Sequence, residues 1–195
     1  NMADGQAIDS AAQNNLTLFA DAKISSTQSK FGGTSLALDG TGDYAQYQNP
    51  VAFGTGDFTI ELFANFSVIK STIIVDCRAE VDDLAAVINL NASGHLLYYF
   101  NGTKIVTTTV PSTGSFHHIA VCRSSGSTKL FFNGTQIGST YSDSDNHNAR
   151  PYLMIGASSG NDAVNGYIDE FRISSMARYT ANFTAPSEPF ADKGQ

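Results

Sequence analysis

Apolar and polar residues alternate along much of the chain with the two-residue period of a β-strand, and helical periodicity is almost absent. In the segment Phe58–Phe66 every even position is apolar. A strand there would place those residues on one face and Thr59, Glu61 and Asn65 on the other. Further strand candidates lie at 71–77, 85–90, 95–100, 104–109, 116–123, 129–133, 152–156 and 166–174. The pattern predicts an all-β fold.

Turn residues separate these candidate strands about every ten residues, which is typical of a sandwich or jelly roll. The pairs Asn101-Gly102 and Asn133-Gly134 each lie between two apolar runs. Both positions of such a pair accept positive φ, so each pair predicts a tight hairpin. No Pro- or Gly-rich linker divides the chain. We expect one domain over 1–195, folded as a two-sheet antiparallel jelly-roll sandwich.

Composition and charge narrow the functional classes. The chain has 195 residues, with 11 Lys and Arg against 18 Asp and Glu, for a net charge of -7. This acidic balance argues against a nucleic-acid partner, which requires clustered basic residues. No apolar run approaches the roughly 18 residues of a membrane span, so we expect no membrane insertion.

Two cysteines, Cys77 and Cys122, lie within apolar runs. The first interpretation is that both are small buried apolar residues. A disulfide between them is the alternative, because the sequence does not give the distance between their Cα atoms.

Several polar residues suggest chemistry. Glu80 and Asp82 are two apart, so a strand would place both carboxylates on one face, as in a paired-carboxylate site. Sandwich-fold glycosidases carry a third acid two residues further on, where this chain has Leu84, so glycoside hydrolysis is only the third hypothesis for function. His117 and His118 are adjacent on a predicted strand and leave opposite faces, so they cannot share a metal ion.

Asp169 is a further candidate, in the predicted strand YIDEFRI. Alternation places its side chain on the same face as Phe171 and Ile173, with Glu170 and Arg172 on the other. A carboxylate facing inward needs compensation. Either backbone N–H groups donate to it, or it joins backbone carbonyls around a hard cation such as Ca²⁺.

Five stretches together resemble the laminin G-like, concanavalin A-like lectin/glucanase superfamily, in the branch common in phage tail proteins and marine bacterial surface proteins. They are KFGGTSLALDGTGDY at 30–44, FGTGDFTIELFANF at 53–66, FHHIAVCRS at 116–124, LFFNGTQIG at 130–138 and IGASSG…NGYIDEFRIS at 155–174. The tail ARYTANFTAPSEPF at 177–190 is also similar. The resemblance implies a jelly roll of roughly 12 to 14 strands. It also implies a structural Ca²⁺ near Asp169, with Asp39 and Asp43 of the Asp-Gly turn as further candidate ligands.

The chain differs from this family at its N-terminus. Family domains generally open with an apolar strand before the segment that begins here at Asp4, and that strand is missing. A sandwich without it would expose unpaired backbone and an apolar groove. Either the fragment is truncated, or a neighbouring subunit donates the strand, in a structural or decoration subunit of a virion or extracellular filament.

The first functional hypothesis is a non-catalytic recognition or adhesion module that binds glycans or a receptor on a cell surface or virion. Two polar loops, 139–151 and 157–166, carry the hydrogen-bonding groups that sugars need. The chain has no Trp, so a stacking ring must come from Tyr. The candidate rim consists of Asp143, Asp145, Asn146, His147, Arg150, Asn161 and Asp162, with Tyr98, Tyr99 and Tyr141 as candidate stacking rings.

Overall fold

The computed structural model describes residues 6–8, 15–48, 52–78, 84–148, 151–158 and 162–191. Within these ranges the chain forms fifteen strands and no helix, as the alternating pattern predicts. The first eight strands are β1 (Gln6–Ile8), β2 (Asn15–Phe19), β3 (Lys23–Ser25), β4 (Ser35–Asp39), β5 (Tyr44–Gln48), β6 (Phe58–Phe66), β7 (Thr72–Asp76) and β8 (Val87–Leu90). The other seven are β9 (Leu96–Tyr99), β10 (Thr103–Val106), β11 (Phe116–Ser124), β12 (Ser127–Phe132), β13 (Thr135–Ser142), β14 (Tyr152–Ile155) and β15 (Asn165–Ser174).

The strands form two antiparallel sheets. The eight-stranded sheet has the order β1-β2-β5-β14-β7-β8-β9-β10, and the seven-stranded sheet has the order β13-β12-β11-β6-β15-β4-β3. One apolar core lies between them, with residues such as Ile60, Leu62, Ile88, Leu96 and Ile155 almost fully buried. The predicted jelly-roll sandwich is confirmed. Strand β1 forms one edge of the eight-stranded sheet, and strand donation by a neighbour stays a prediction.

Both Asn-Gly pairs form the predicted tight hairpins. Asn101 and Gly102 have φ of 46° and 100°, and they join β9 to β10. Asn133 and Gly134 have φ of 49° and 80°, and they join β12 to β13. Two successive residues with positive φ match the right-handed twist of the flanking strands.

Strand β6 has the predicted division of its residues between two faces, and both faces are buried. The even residues face the core between the sheets, as expected. The odd face, with Thr59 and Glu61, is covered by the C-terminal segment 175–191, whose Tyr179 and Phe183 pack against Phe131 of the seven-stranded sheet. Alternation identifies the strand but does not show that a later segment covers its polar face.

A β-bulge in β15 reverses the predicted orientation of Asp169. The register with β6 shifts between Asp169 and Arg172, and Glu170 has φ of 53°. Asp169 pairs with Phe63 and therefore lies on the outer face of the seven-stranded sheet, the same face as Arg172. The prediction that Asp169 shares the inward face of Ile173 is wrong, because the bulge inserts one extra residue into the alternation.

The two cysteines are buried and free, and the first interpretation of them is confirmed. Cys77 belongs to the core between the sheets, whereas Cys122 lies on the outer face of β11 beneath the C-terminal segment. Burial, with a contribution from Asp76, raises the pKa of the Cys77 thiol to about 12. The thiolate that would react is therefore scarcely populated at neutral pH.

Candidate functional site

The two polar loops predicted to form one binding rim leave the sandwich at opposite ends. Loop 139–151 leads into β14, and loop 157–166 follows it. Strand β14 has four residues and is about 14 Å long. The carbonyl of Asp162 accepts hydrogen bonds from the Ile73 nitrogen and the Thr72 hydroxyl, at the beginning of β7. Because β7 runs antiparallel to β14, this is the end of the sheet away from the first loop. The prediction that both loops form a single binding rim is therefore wrong. Arg150 and Asn161 lie outside the described residues.

Asp143 is a buried structural residue, and its side chain is inaccessible to a ligand. The residue is 2% exposed, and its Oδ2 accepts a hydrogen bond of 2.6 Å from the Thr128 hydroxyl. The same oxygen lies 3.4 Å from Nε of Arg123 and 3.3 Å from Nε2 of His147. Burial alone would raise the pKa of Asp143, but the His147 and Thr128 hydrogen bonds outweigh it and the pKa is lowered.

His147 is also internal. Its imidazole is 2% exposed and packs against Phe58 and Phe100, with ring centroids 4.9 and 4.4 Å away. Its backbone forms a bridge with Gly54. The predicted ligand-binding roles of Asp143 and His147 are therefore wrong, because both side chains close the end of the core.

Tyr98 cannot be a stacking ring for a sugar. Its side chain points into the core from β9 and is 0% exposed. Burial, with a further contribution from the charge of Asp143, raises the pKa of its hydroxyl well above the usual value. Successive residues of a strand face opposite sides. Tyr99 consequently lies on the outer face of the eight-stranded sheet, where it is half-buried.

Three predicted residues remain accessible at the end where β13 finishes. The half-buried Tyr141 donates a hydrogen bond of 2.7 Å from its hydroxyl to Asp145, and Asn146 beside it is exposed. The ammonium group of Lys104 lies 5.1 Å from the centre of the Tyr141 ring. Burial and the hydrogen bond to Asp145 raise the pKa of Tyr141 to about 12.

The carboxylate of Asp169 accepts hydrogen bonds from backbone N–H groups, which is the first of the two interpretations given by the sequence. Its Oδ2 accepts hydrogen bonds from the backbone nitrogens of Lys30 and Phe31, at 2.7 and 3.1 Å. Its Oδ1 accepts one from the Glu170 nitrogen, at 2.9 Å. These three donors occupy the positions from which a cation would approach the carboxylate, so the surroundings of Asp169 do not fit Ca²⁺.

Asp39 and Asp43 lie too far from Asp169 to share a metal ion with it. Asp39 pairs with Asn165, four residues before Asp169 on β15, which corresponds to about 13 Å. Asp43 accepts hydrogen bonds from the backbone nitrogens of Asp21 and Asp39, at 2.8 and 2.7 Å. In the described part of the chain, no group of three His, Cys, Asp or Glu side chains could hold a metal ion. Ca²⁺ binding stays a prediction, without these three residues as a common site.

The outer face of the eight-stranded sheet carries a row of residues that the sequence analysis missed. Strand register places Gln46, Met154, Asp76, Val87 and Tyr99 side by side on five neighbouring strands. We call these five residues the outer row. Four of the five, Gln46, Met154, Asp76 and Val87, are buried although they face away from the core, and only Tyr99 is half-buried.

Asp76 and Arg78 form the polar centre of this face. The Arg78 side chain donates to both carboxylate oxygens, from Nε at 2.9 Å and from Nη2 at 2.7 Å. Its guanidinium carbon lies 5.6 Å from the centre of the Tyr99 ring, so the ion pair also positions this ring. The two-residue spacing of Asp76 and Arg78 in TIIVDCR is the signal that could have indicated a shared face.

Amide side chains extend this face on both sides of the ion pair. Nε2 of Gln48 donates a hydrogen bond of 2.9 Å to Oε1 of Gln46. Asn89 faces the same side from β8. Its Oδ1 is screened from solvent and accepts no hydrogen bond from any residue in the described ranges.

The outer face of the seven-stranded sheet is closed by an ionic network. Glu61 is 0% exposed, and its Oε2 accepts hydrogen bonds from His118 Nε2 and the Tyr179 hydroxyl, at 3.1 and 2.8 Å. Its Oε1 accepts from Nε and Nη2 of Arg172, at 2.8 and 2.7 Å, and Nε of Arg178 lies 3.7 Å away. Burial raises the pKa of Glu61, but these donors outweigh it and the pKa is lowered.

Aromatic rings of the C-terminal segment cover this network. Tyr179 and Phe183 stack with ring centroids 3.6 Å apart, and Phe183 meets the His118 ring edge-on at 5.6 Å. Phe190 packs on Phe63 and on Arg172. Substrate therefore has no access to Glu61 or His118. On the outer face of the eight-stranded sheet, Gln48 is exposed and Arg78 and Tyr99 are half-buried.

Solved structures of similar fold support this architecture. Domain 4 of AbnA, a GH43 extracellular arabinanase from Geobacillus stearothermophilus solved with arabinotriose, matches with a TM-score of 0.57 and 18% identity, over 80% of this chain and 75% of that domain. A Trypanosoma rangeli sialidase matches with a TM-score of 0.69 and 10% identity, over 92% of this chain but only 30% of the sialidase. The binding domain of botulinum neurotoxin DC, solved with SialylT, matches with a TM-score of 0.65 and 11% identity, over 90% of this chain and 48% of that domain. These likenesses concern the fold alone.

Sequence comparison identifies the family. No curated protein sequence matches the chain significantly. Among the described residues, no helix is long and apolar enough to cross a membrane. Residues 39–182, about three quarters of the chain, match the family model described as the concanavalin A-like lectin/glucanases superfamily. The chain belongs to this laminin G-like, concanavalin A-like superfamily.

Proposed function

We propose that the chain is a non-catalytic recognition module that binds glycans at an extracellular surface, on a cell or a virion. The observation that carries this proposal is the outer face of the eight-stranded sheet. Tyr99, the Asp76–Arg78 ion pair and the Gln46–Gln48 amide pair all lie on that face. Two proteins of similar fold were solved with arabinotriose and with SialylT, which supports the proposal.

These side chains suit the chemistry of sugars. A sugar hydroxyl both donates and accepts hydrogen bonds, and an amide side chain offers the complementary donor and acceptor. The apolar face of a sugar ring packs on an aromatic ring, and a Tyr supplies a large apolar surface with a polar tip. The ion pair keeps the Tyr99 ring in place before the ligand arrives, which reduces the entropic cost of binding.

We also propose that the chain does not hydrolyse the glycans that it binds. Glycoside hydrolysis generally uses two carboxylates flanking the scissile bond. The strands that form the outer row contribute a single carboxylate, Asp76, and Arg78 occupies both of its oxygens. The predicted pair Glu80 and Asp82 lies outside the described residues. The buried Glu61 belongs to the closed network on the other sheet.

A glycan array followed by calorimetric titration tests the binding function. We expect binding to at least one glycan, and Tyr99→Ala should weaken that binding about tenfold or more, as for a central aromatic contact. Tyr167→Ala is the matched control, because Tyr167 is also half-buried but lies on β15 of the other sheet. Equal affinities of both variants and the original chain would contradict the assignment of this face.

A hydrolysis assay on the bound glycan tests the non-catalytic part. We expect no release of reducing ends by the original chain. Release that disappears in Glu80→Gln or Asp82→Asn would establish the hydrolase hypothesis instead.

A further inference from the structure

We infer that Asn101 is a site of spontaneous deamidation, whereas the fold protects the other two asparagines of the chain that precede a glycine. The three pairs are Asn101-Gly102, Asn133-Gly134 and Asn165-Gly166. This inference is independent of the proposed function, because it rests on the hydrogen bonds and the burial of these pairs.

Deamidation of asparagine starts from the backbone nitrogen of the next residue. This nitrogen loses its proton to hydroxide and forms a bond to Cγ of the asparagine. The bond between Cγ and Nδ2 breaks, and the leaving nitrogen takes a proton from water, which releases ammonia and restores the hydroxide. Water then opens the resulting succinimide ring at one of its two carbonyl groups, to give aspartate or isoaspartate. Glycine hinders this attack least, because it lacks a Cβ and adopts many backbone conformations.

The pair Asn101-Gly102 is open to this reaction. Both residues are exposed, in the short loop that joins β9 to β10. The Asn101 side chain forms no hydrogen bond with any residue in the described ranges. Strand β10 has four residues and lies at the edge of its sheet, where it pairs with β9 alone. The loop can therefore change conformation, and bring the nitrogen to Cγ, without disturbing a second strand pairing.

Asn133 lies in a tight hairpin as well, but its amide group is held at both ends. Its Oδ1 accepts a hydrogen bond of 2.9 Å from the backbone nitrogen of His118, and its Nδ2 donates one of 3.2 Å to Nδ1 of His117. Gly134 is buried, and its carbonyl accepts a hydrogen bond of 2.9 Å from the backbone nitrogen of Phe183. Attack on Cγ must first break these contacts, so we expect slow deamidation here.

Asn165 is protected by strand pairing. Its Nδ2 donates a hydrogen bond of 2.7 Å to the carbonyl of Asp39. Gly166 is buried in β15, between Leu38 of β4 and Phe66 of β6. Its nitrogen cannot turn towards Cγ of Asn165 unless β15 separates from a neighbouring strand.

Deamidation at Asn101 would alter the hairpin. Aspartate adds a negative charge two residues from Tyr99. Isoaspartate lengthens the main chain by one carbon atom, in a loop that closes between the paired residues Tyr99 and Thr103. Because loop length fixes the register of a hairpin, the isoaspartate form should lose part of the pairing between β9 and β10.

Peptide mapping by liquid chromatography and mass spectrometry tests the inference on the folded chain, kept for weeks in mildly alkaline buffer. Deamidation at Asn101 should be at least about tenfold faster than at Asn133 or Asn165, which corresponds to about 1.4 kcal/mol of activation free energy. Isoaspartate should accompany aspartate, and the rate should rise with pH because the attacking nitrogen must lose its proton. In the chain denatured by guanidinium chloride, the three sites should react at similar rates, since glycine follows each asparagine.

His117→Ala tests the origin of the protection at Asn133. This variant removes the acceptor of the Asn133 amide, so deamidation of Asn133 should accelerate several-fold while the rate at Asn101 stays the same. Circular dichroism checks that the variant is folded, and the comparison of folded and denatured original chain decides the inference without it. Equal rates at the three sites of the folded chain would overturn the inference, and so would an Asn101 that reacts only after denaturation.

Discussion

The buried Glu61 network should be essential for stability. Replacing Glu61 with Gln removes the charge that accepts hydrogen bonds from His118, Tyr179 and Arg172. Breaking a buried ion pair by removing one partner costs about 3–5 kcal/mol. Arg172 retains 18% side-chain exposure, so water compensates part of its lost pairing and the lower limit applies. We expect the free energy of unfolding to fall by about 3 kcal/mol, a large part of the 5–15 kcal/mol of a typical domain.

Urea denaturation followed by far-ultraviolet circular dichroism measures this difference. Glu188→Gln is the matched control, because Glu188 is exposed. The pH dependence adds a second test. The pKa of Glu61 is lowered in the folded state, so its contribution is present above the unfolded pKa and is lost as the pH falls through the folded one. The gap between original chain and variant should therefore narrow below about pH 4.

Two results would refute this reasoning. A loss of less than about 1 kcal/mol at neutral pH would mean that the network contributes no more than a surface ion pair. A gap that stays constant from neutral to acidic pH would mean that the effect of the variant does not come from the carboxylate charge.

Three further substitutions test the internal contacts, each by urea denaturation. Tyr98→Phe should leave stability unchanged or raise it by about 1 kcal/mol, because the buried hydroxyl has no hydrogen-bond partner among the described residues; a loss would contradict this. Gly134→Ala should cost about 2 kcal/mol or more, since the residue has positive φ and a Cβ there would collide with the Phe183 carbonyl; an unchanged midpoint would count against it. Asp143→Asn should cost about 3 kcal/mol at neutral pH, because the buried Arg123 charge loses its carboxylate counter-ion. The cost should be smaller in acid, since the pKa of Asp143 is lowered and its stabilising charge is lost as the pH falls through that pKa; equal loss at both pH values would argue for packing alone.

Much of the fold could be predicted from the sequence because its signals are local. Alternation in 58–66 and positive φ at the Asn-Gly pairs depend on neighbouring residues, and the structure has the corresponding strand and hairpins. Strands β1 to β5 and β13 are absent from the predicted strands. They are short or polar, as in YAQYQ of β5 and TQIGSTYS of β13. Pairing stabilises them, since β5 lies between β2 and β14 and β13 pairs with β12 through the Asn133-Gly134 hairpin.

The site was predicted poorly because its geometry depends on long-range arrangement. Composition correctly marks the loops before and after β14 as polar, but only the topology shows that they leave opposite ends of the sandwich. Likewise, Asp143 in a polar stretch suggests an exposed carboxylate, yet Arg123 from β11 and Thr128 from β12 bind it in the interior. In both cases the partner that decides the role lies elsewhere in the sequence.

The two outer faces of the sandwich explain why binding should fall to the eight-stranded sheet. On the seven-stranded sheet, the C-terminal segment covers Glu61, whose carboxylate accepts hydrogen bonds from His118, Tyr179 and Arg172, so that face stabilises the fold and is closed to ligands. On the eight-stranded sheet, Asp76 is also paired, but its partner Arg78 extends the pair towards Tyr99. An ion pair that orients a partly exposed aromatic ring prepares a binding surface. The same chemistry therefore serves stability on one sheet and, in our proposal, recognition on the other.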